Sequence, residues 1–211
     1  MRRAVIAGMG MMAVLGGFGL MSCAKSEDQT RGDSAAAGSP DEPRNRTGQT
    51  PLLVAVWEND IETARALIAA GADVNAKDDI HDSPYLVAGA QGRTEILELI
   101  LGSGRADLKS TNRYGGTALI PAAEKGHPEA VRLLLAAGVD ADHVNRLGWT
   151  ALMETVVLSD GGPIHVEILE TLLEAGANPN IPDRNGVTAL THARRQGFSD
   201  MVRLLERHGA R

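Results

Sequence analysis

Glu154 and His192 are the residues whose types and spacing come closest to suggesting acid–base chemistry. They lie 38 positions apart, and each follows a threonine by four positions. If these two segments stack, a carboxyl group and an imidazole meet. Such a pair can exchange protons with a substrate or hold two segments together as a half-buried ion pair. The sequence contains no HExxH motif, nucleophile elbow or glycine-rich phosphate loop. The ion pair is therefore the favoured interpretation, and a hydrolase that uses Glu154 and His192 is an alternative.

The other histidines indicate no metal site. His127 and His165 stand at the same place in two similar segments, directly before a predicted helix, and His81, His143 and His208 share no ligand spacing with them. We predict neither a metal nor a cofactor. Without residues 1–22, 19 basic and 27 acidic residues remain. This balance argues against a nucleic-acid partner, which needs a basic surface.

The first 22 residues have the order of a secretory signal. Arg2 and Arg3 precede an apolar stretch of 17 residues, and Leu20-Met21-Ser22-Cys23 follows it. This tetrapeptide resembles the lipobox of bacterial lipoproteins, whose cysteine becomes the lipidated N-terminus. The resemblance implies a signal peptide over residues 1–22 and a lipid on Cys23, the only cysteine of the chain. It also implies an anchor in a bacterial membrane facing the periplasm. The outer membrane is favoured because Ala24, and not an aspartate, follows Cys23.

Two alternatives for this N-terminal region stay open. The apolar stretch could be an uncleaved anchor, although 17 residues with five glycines fall short of the roughly 20 that span a bilayer. Cys23 could also be a plain thiol. Residues 24–45 contain no large apolar side chain, so they cannot bury enough surface to fold. We predict that residues 23–45 form a flexible tether.

The rest of the chain repeats. A threonine or serine followed by proline or alanine recurs at spacings of 33, 34, 33 and 38 residues, at Thr50, Ser83, Thr117, Thr150 and Thr188. A glycine recurs in step with these residues, at Gly71, Gly104, Gly138, Gly176 and Gly209. This pattern resembles the ankyrin repeat, whose ending the segment Gly71-Ala72-Asp73-Val74-Asn75-Ala76 matches closely. The resemblance implies an all-α solenoid of five helix-turn-helix repeats with β-turn tips over residues 46–211. The predicted repeats cover about 46–78, 79–112, 113–145, 146–183 and 184–211.

Each recurring residue has a physical reason. We expect the hydroxyl residues to cap the first helix of each repeat. An acidic residue should open each second helix, where it meets the positive end of the helix dipole; these are Glu62, Glu95, Glu129, Glu167 and Asp200. Glu206 stands where the other repeats have an apolar residue, as expected of a solvent-facing end. His81 stands where a turn glycine is expected.

The fourth repeat carries five extra residues within Ser159–Ile164, including Asp160, Gly161 and Gly162. A similar Asp-Gly-Gly insertion occurs in a group of bacterial ankyrin proteins. Surface loops tolerate insertions at little cost, so a neutral loop is one interpretation. The other is a projecting loop that contacts a partner.

The resemblance also implies where a protein partner binds, namely at the tips and on the exposed side of the first helices. The tips are Arg46-Thr47, Asp79-Ile80, Arg113-Tyr114, Arg146-Leu147 and Arg184-Asn185. The residues before the caps are Gln49, Asp82, Gly116, Trp149 and Val187. The helix positions are Trp57-Glu58, Ala90-Gln91, Glu124-Lys125, Val157-Leu158 and Arg195-Gln196. Aromatic and arginine residues dominate interface hot spots, although exposed arginine also serves solubility. The predicted partner-binding residues are Trp57, Arg113, Tyr114, Glu124, Lys125, Arg146, Trp149 and Arg184.

Together these features predict a monomeric binding module without catalytic activity, tethered in the bacterial cell envelope. Its partner is a periplasmic or envelope protein. An inhibitor or immunity protein that blocks a toxic enzyme is the main alternative.

Overall fold

The computed structural model describes residues 44–211, which form ten α-helices and no strand. The expected all-helical solenoid of five helix pairs is confirmed. In each pair, the first helix is α1 (Pro51–Glu58), α3 (Pro84–Ala90), α5 (Leu119–Glu124), α7 (Ala151–Val157) or α9 (Ala189–Gln196). The second is α2 (Ile61–Ala69), α4 (Thr94–Gly102), α6 (Pro128–Ala136), α8 (Pro163–Glu174) or α10 (Ser199–Arg207).

The predicted hydroxyl caps form in four of the five repeats. Thr50, Ser83, Thr150 and Thr188 each accept a hydrogen bond from the backbone N–H three residues further on. The expected cap at Thr117 is wrong, because α5 begins only at Leu119 and the buried Thr117 hydroxyl has no hydrogen-bond partner. Pro121 explains the difference. It occupies the position whose N–H makes the first helical hydrogen bond in the other repeats, and proline has no N–H to donate.

The core is a continuous stack of apolar side chains. The first helices pack on one another in one row and the second helices in a parallel row, and residues such as Leu97, Leu134 and Leu169 between them are fully buried. Each such side chain stabilises the fold by roughly 2 kcal/mol. At the C-terminal end Glu206 is exposed and pairs with Arg194 at 2.6 Å, as expected of a polar terminal repeat.

The tips are fixed by one recurring side-chain interaction that the repeat pattern did not reveal. An asparagine or aspartate opens each tip and accepts hydrogen bonds of 2.8–3.1 Å from the backbone N–H groups two and four residues further on. These residues are Asn45, Asp78, Asn112, Asn145 and Asp183. Asn45, the last residue of the predicted tether, therefore belongs to the first tip. His81 adopts a positive φ of 66° in place of the expected turn glycine.

The insertion in the fourth repeat is partly helical. Gly162 caps α8 and Pro163 is its first residue, so α8 begins one turn earlier than the other second helices. Two expectations are therefore wrong: His165 lies inside α8 and not before it, and Glu167 is not in its first turn. The preceding loop packs against the fifth repeat. Gly161 has a φ of 70°, and a Cβ at this position would lie 2.5 Å from the Phe198 ring.

The signal peptide over residues 1–22, lipidation at Cys23 and nearly all of the tether fall outside the described residues. Within residues 44–211, no helix has the length and apolar character needed to cross a membrane.

Candidate functional site

A groove of about 400 Å³ runs along the first helices between the tips of the second, third and fourth repeats. Five of the eight predicted partner-binding residues line it: Trp57, Arg113, Tyr114, Glu124 and Lys125. The groove also includes Asp82, Leu147 and Leu158, which belong to the predicted face but are neither aromatic nor arginine. Repeat stacking therefore brings together most of the residues predicted from position alone.

The groove exposes large apolar side chains. Trp57 is 37% exposed, Tyr114 56%, Leu147 52% and Leu158 48%. Tyr114 and Leu147 occupy the same place in successive tips, and Ile80, 51% exposed, has this place in the tip before. Scattered exposed hydrophobic residues are ordinary, whereas clustered ones mark interaction surfaces. Comparing the second residue of each tip in the sequence would have revealed this apolar row.

One end of the groove carries balanced charge. The Arg113 guanidinium lies 3.5 Å from the Asp82 carboxylate and 5.0 Å from the centroid of the Tyr114 ring, within range of a cation–π interaction. Burial raises the pKa of Asp82 above its ordinary value, and the negative charge of Asp78 adds to this effect, while the positive charges of Arg113 and Lys125 oppose it. The acid here already has two basic neighbours.

The other end of the groove is acidic. Glu154, on α7, is only 5% exposed, and its Oε1 accepts a 2.7 Å hydrogen bond from the Asn145 side-chain amide. Burial raises the pKa of Glu154 to about 7, the nearby charge of Glu124 adds to this effect, and the bond from Asn145 opposes it.

The expected pair between Glu154 and His192 is wrong. Glu154 bonds to Asn145, and His192 Nε2 lies 3.0 Å from Asp183 Oδ2. In both cases the partner opens the tip of the same repeat, nine residues earlier. The tip folds back over the start of its own helix, so it offers a closer partner than the neighbouring repeat does. The arrangement needed by the hydrolase alternative is therefore not formed in the described part of the chain.

Trp149 does not join the groove. It is partly buried and packs against the hydrophobic core. Its backbone N–H and carbonyl are both bonded to Asn145, which fixes this residue at the inner end of the tip. The solenoid's own packing therefore uses this aromatic residue, and binding of a partner by Trp149 stays a prediction.

Arg146 and Arg184 have a structural role that the sequence did not predict. Arg146 Nη1 donates a 2.8 Å hydrogen bond to the carbonyl of Arg113 in the preceding tip, and Arg184 donates likewise to the carbonyl of Arg146. Their aliphatic parts lie against turn glycines: a Cβ at Gly148 would approach Arg184 Cγ to 2.6 Å. Both arginines remain exposed, and binding of a partner by them stays a prediction.

His165, the residue directly after the insertion, contacts both the insertion and the third repeat. His165 Nδ1 lies 3.7 Å from Asp160 Oδ1, and His165 Nε2 lies 3.1 Å from the carbonyl of Glu124 at the end of α5. Asp160, Gly161 and Gly162 do not line the groove. Among residues 44–211, no cluster of three or more histidine, cysteine or acidic side chains could hold a metal ion.

Comparisons with known proteins agree with this architecture. Residues 47–79, 85–183 and 165–206 match family models described as "Ankyrin repeat", "Ankyrin repeats (3 copies)" and "Ankyrin repeats (many copies)". The ankyrin repeat protein YahD of Escherichia coli is 38% identical over 167 residues, which cover 79% of this chain and 83% of YahD.

Two solved structures are similar as well. An ankyrin repeat domain from Acinetobacter baumannii is 58% identical with a TM-score of 0.78, over 80% of this chain and 86% of that chain. The ankyrin repeat protein EF0377 is 50% identical with a TM-score of 0.75, over 77% of this chain and 82% of that chain. The protein belongs to the ankyrin repeat family.

Proposed function

We propose that this chain is a non-catalytic protein-binding module that takes its partner in the groove between the second and fourth tips. The observation that carries the proposal is the set of four exposed apolar side chains around one groove: Trp57, Tyr114, Leu147 and Leu158. Ankyrin repeats suggest protein–protein interaction in general. The groove supports this location, because covering large apolar groups that cluster in a cleft is energetically favourable.

Capture of the partner from envelope extract, followed by affinity measurement, tests this proposal. The double variant Tyr114→Ala, Leu147→Ala should bind the captured protein at least about 30-fold more weakly, as expected when interface hot spots are truncated. Val144 and Ile164 are 45% and 53% exposed but lie outside the groove, so Val144→Ala, Ile164→Ala is the matched control. Equal affinity of both double variants and the parent would refute the groove as the binding site.

The captured protein also distinguishes a scaffold from an inhibitor. If the partner is a single enzyme that loses activity in a one-to-one complex, the module acts as an inhibitor or immunity protein. If the partners are several envelope proteins with unchanged activity, it acts as a scaffold.

The proposed location is the bacterial envelope, with a lipid anchor on Cys23. Support comes from the order of the N-terminal residues: two arginines, an apolar stretch and the Leu-Met-Ser-Cys segment. A single acyl chain binds membranes only marginally, whereas two chains anchor a protein stably, and a lipobox cysteine would receive at least two. Cys23→Ser should therefore release the protein from the membrane fraction or leave it unprocessed. Membrane retention of the parent without incorporation of a radioactive fatty acid would contradict this proposal.

A further inference from the structure

We propose that the groove recognises a lysine or arginine side chain of the partner, held between the carboxylates of Glu124 and Glu154. This inference rests on the proposed function and adds to it the chemistry of the bound segment. The partner would present this cationic side chain next to apolar residues, which cover the exposed apolar part of the groove.

The distribution of charge along the groove carries the proposal. At one end Asp82 already has Arg113 at 3.5 Å and the charge of Lys125 nearby. At the other end Glu124 and Glu154 both line the groove, yet neither forms a salt bridge within residues 44–211. Within residues 44–211, Glu124 and Glu154 are therefore groove carboxylates without a salt-bridge partner, whereas Asp82 already has Arg113.

The buried carboxyl adds a second, independent observation. Glu154 is 95% removed from solvent, and Asn145 bonds only to its Oε1. One amide donor does not balance a carboxylate buried in this way, and the neighbouring Glu124 makes its ionisation still less favourable. A cation placed between the two carboxylates offsets both the burial of the Glu154 charge and its repulsion by Glu124. It does so by forming charge-assisted hydrogen bonds to groups that are already in position.

The shape next to the acidic end suits a long side chain. Leu158 follows Glu154 by one helical turn on the same face of the helix, and it is 48% exposed and lines the groove. Lysine and arginine lay their methylene stems along apolar surface while the charged group reaches a polar partner. Leu158 would contact the stem while Glu154 and Glu124 bind the head. A short cation or an acidic side chain would not satisfy both contacts.

The experiment uses a library of random peptides displayed on phage, selected on the full-length chain and, in parallel, on Glu154→Gln. Glutamine keeps the acceptor for Asn145 and removes the charge, so the fold of this region is retained. Glu170→Gln, an exposed glutamate of α8, is the matched control. We expect the parent and the control to select peptides that contain lysine or arginine next to apolar residues, and Glu154→Gln to lose this selection.

A selected peptide then allows two quantitative measurements. Replacing its cationic residue with norleucine should weaken binding to the parent at least tenfold, but should have little further effect on binding to Glu154→Gln. The ¹³C resonance of the Glu154 carboxyl should also titrate at lower pH in the complex than in the unbound chain. A purely structural role for Glu154 would not produce this change.

Several outcomes overturn the inference. These are selection of acidic or uncharged peptides, absence of any peptide that prefers the parent over Glu154→Gln, additive losses in the double-mutant cycle, or an unchanged Glu154 titration. The inference fails on its own if partner binding depends on Tyr114 and Leu147 but is unchanged in Glu154→Gln. The proposed function itself fails if the Tyr114 and Leu147 substitutions leave binding of the captured partner unaffected.

Discussion

Replacement of Glu154 by glutamine should make the protein more stable above neutral pH and leave its stability unchanged in acid. Glu154 is 5% exposed, and its pKa is raised from 4.5 to about 7 by burial, with a contribution from Glu124. Between these two pH values the unfolded chain releases the proton while the folded chain retains it. The parent's free energy of unfolding therefore falls as pH rises through this interval, and the Glu154 contribution is constant above it.

The expected size follows from the same interval. Each pH unit between the two pKa values lowers the parent's free energy of unfolding by about 1.4 kcal/mol. The ionised Glu154 carboxylate therefore destabilises the folded parent by roughly 3 kcal/mol at pH 8. Glutamine has no such cost and keeps the 2.7 Å bond from Asn145. For a domain of this size the difference corresponds to a rise in Tm of roughly 6–12 °C at pH 8. At pH 4 the two proteins should have nearly the same stability, because the protonated carboxyl of Glu154 and the amide of glutamine are both uncharged and similar in size.

Urea unfolding followed by far-UV circular dichroism, at several values between pH 4 and pH 8.5, measures this difference. For the exposed control Glu170→Gln, the free energy of unfolding plotted against pH should run parallel to that of the parent. If Glu154→Gln is also parallel to the parent, the Glu154 carboxylate ionises without cost in the folded state. The reasoning from burial would then be refuted.

The effects of four further substitutions on stability can be predicted and measured in the same unfolding assay. Thr117→Val should leave stability unchanged or raise it by up to about 1 kcal/mol, because the buried hydroxyl has no hydrogen-bond partner. Thr150→Val should instead cost about 1 kcal/mol, because this hydroxyl caps α7. Gly161→Ala should cost roughly 2 kcal/mol or more, since its φ of 70° is strained for alanine and the new methyl would lie 2.5 Å from the Phe198 ring. Arg146→Ala should cost about 1 kcal/mol by removing the bond to the preceding tip.

Each of these predictions has a control. Equal losses for Thr117→Val and Thr150→Val would mean that the Thr117 hydroxyl has a partner after all. Gly186 has a φ of 76° with open space around the position of a Cβ, so the excess cost of Gly161→Ala over Gly186→Ala isolates the contact with Phe198. Arg195 is exposed and forms no side-chain hydrogen bond or ion pair within residues 44–211. An equal loss in Arg195→Ala would contradict the structural role of Arg146.

The helix pairs could be predicted from the sequence because the same signals occur five times. A capping hydroxyl and a glycine near each helix end identify the repeats even where one signal fails, as at Thr117. That failure depends on a single missing N–H at Pro121. Gly162 and Pro163 were ambiguous, because glycine followed by proline is typical of a turn and also of a helix start. Only packing against Phe198 and Glu124 shows where the loop ends.

The groove was predicted in part because surface positions follow from the repeat register alone. The register does not determine the direction in which a side chain at such a position points. Trp149 and Arg146 both belong to the tip region, yet one side chain packs on the core and the other bonds to the preceding tip. Glu154 pairs with Asn145 because the tip folds back over its own helix. That fold depends on the asparagine or aspartate at the start of each tip, whose role is visible only in three dimensions.

The bonds that Arg146 and Arg184 make with the preceding tip reach one repeat back and no further. In a molecule built this way, local opening spreads from one repeat to the next, and the terminal repeats exchange their amide hydrogens first. A ligand in the groove contacts the second, third and fourth tips at the same time. It therefore connects repeats that these hydrogen bonds do not connect directly. Trp57 of the first repeat also lines the groove. Ligand binding should therefore slow amide exchange in the first four repeats together, while the fifth repeat continues to fray at its own rate.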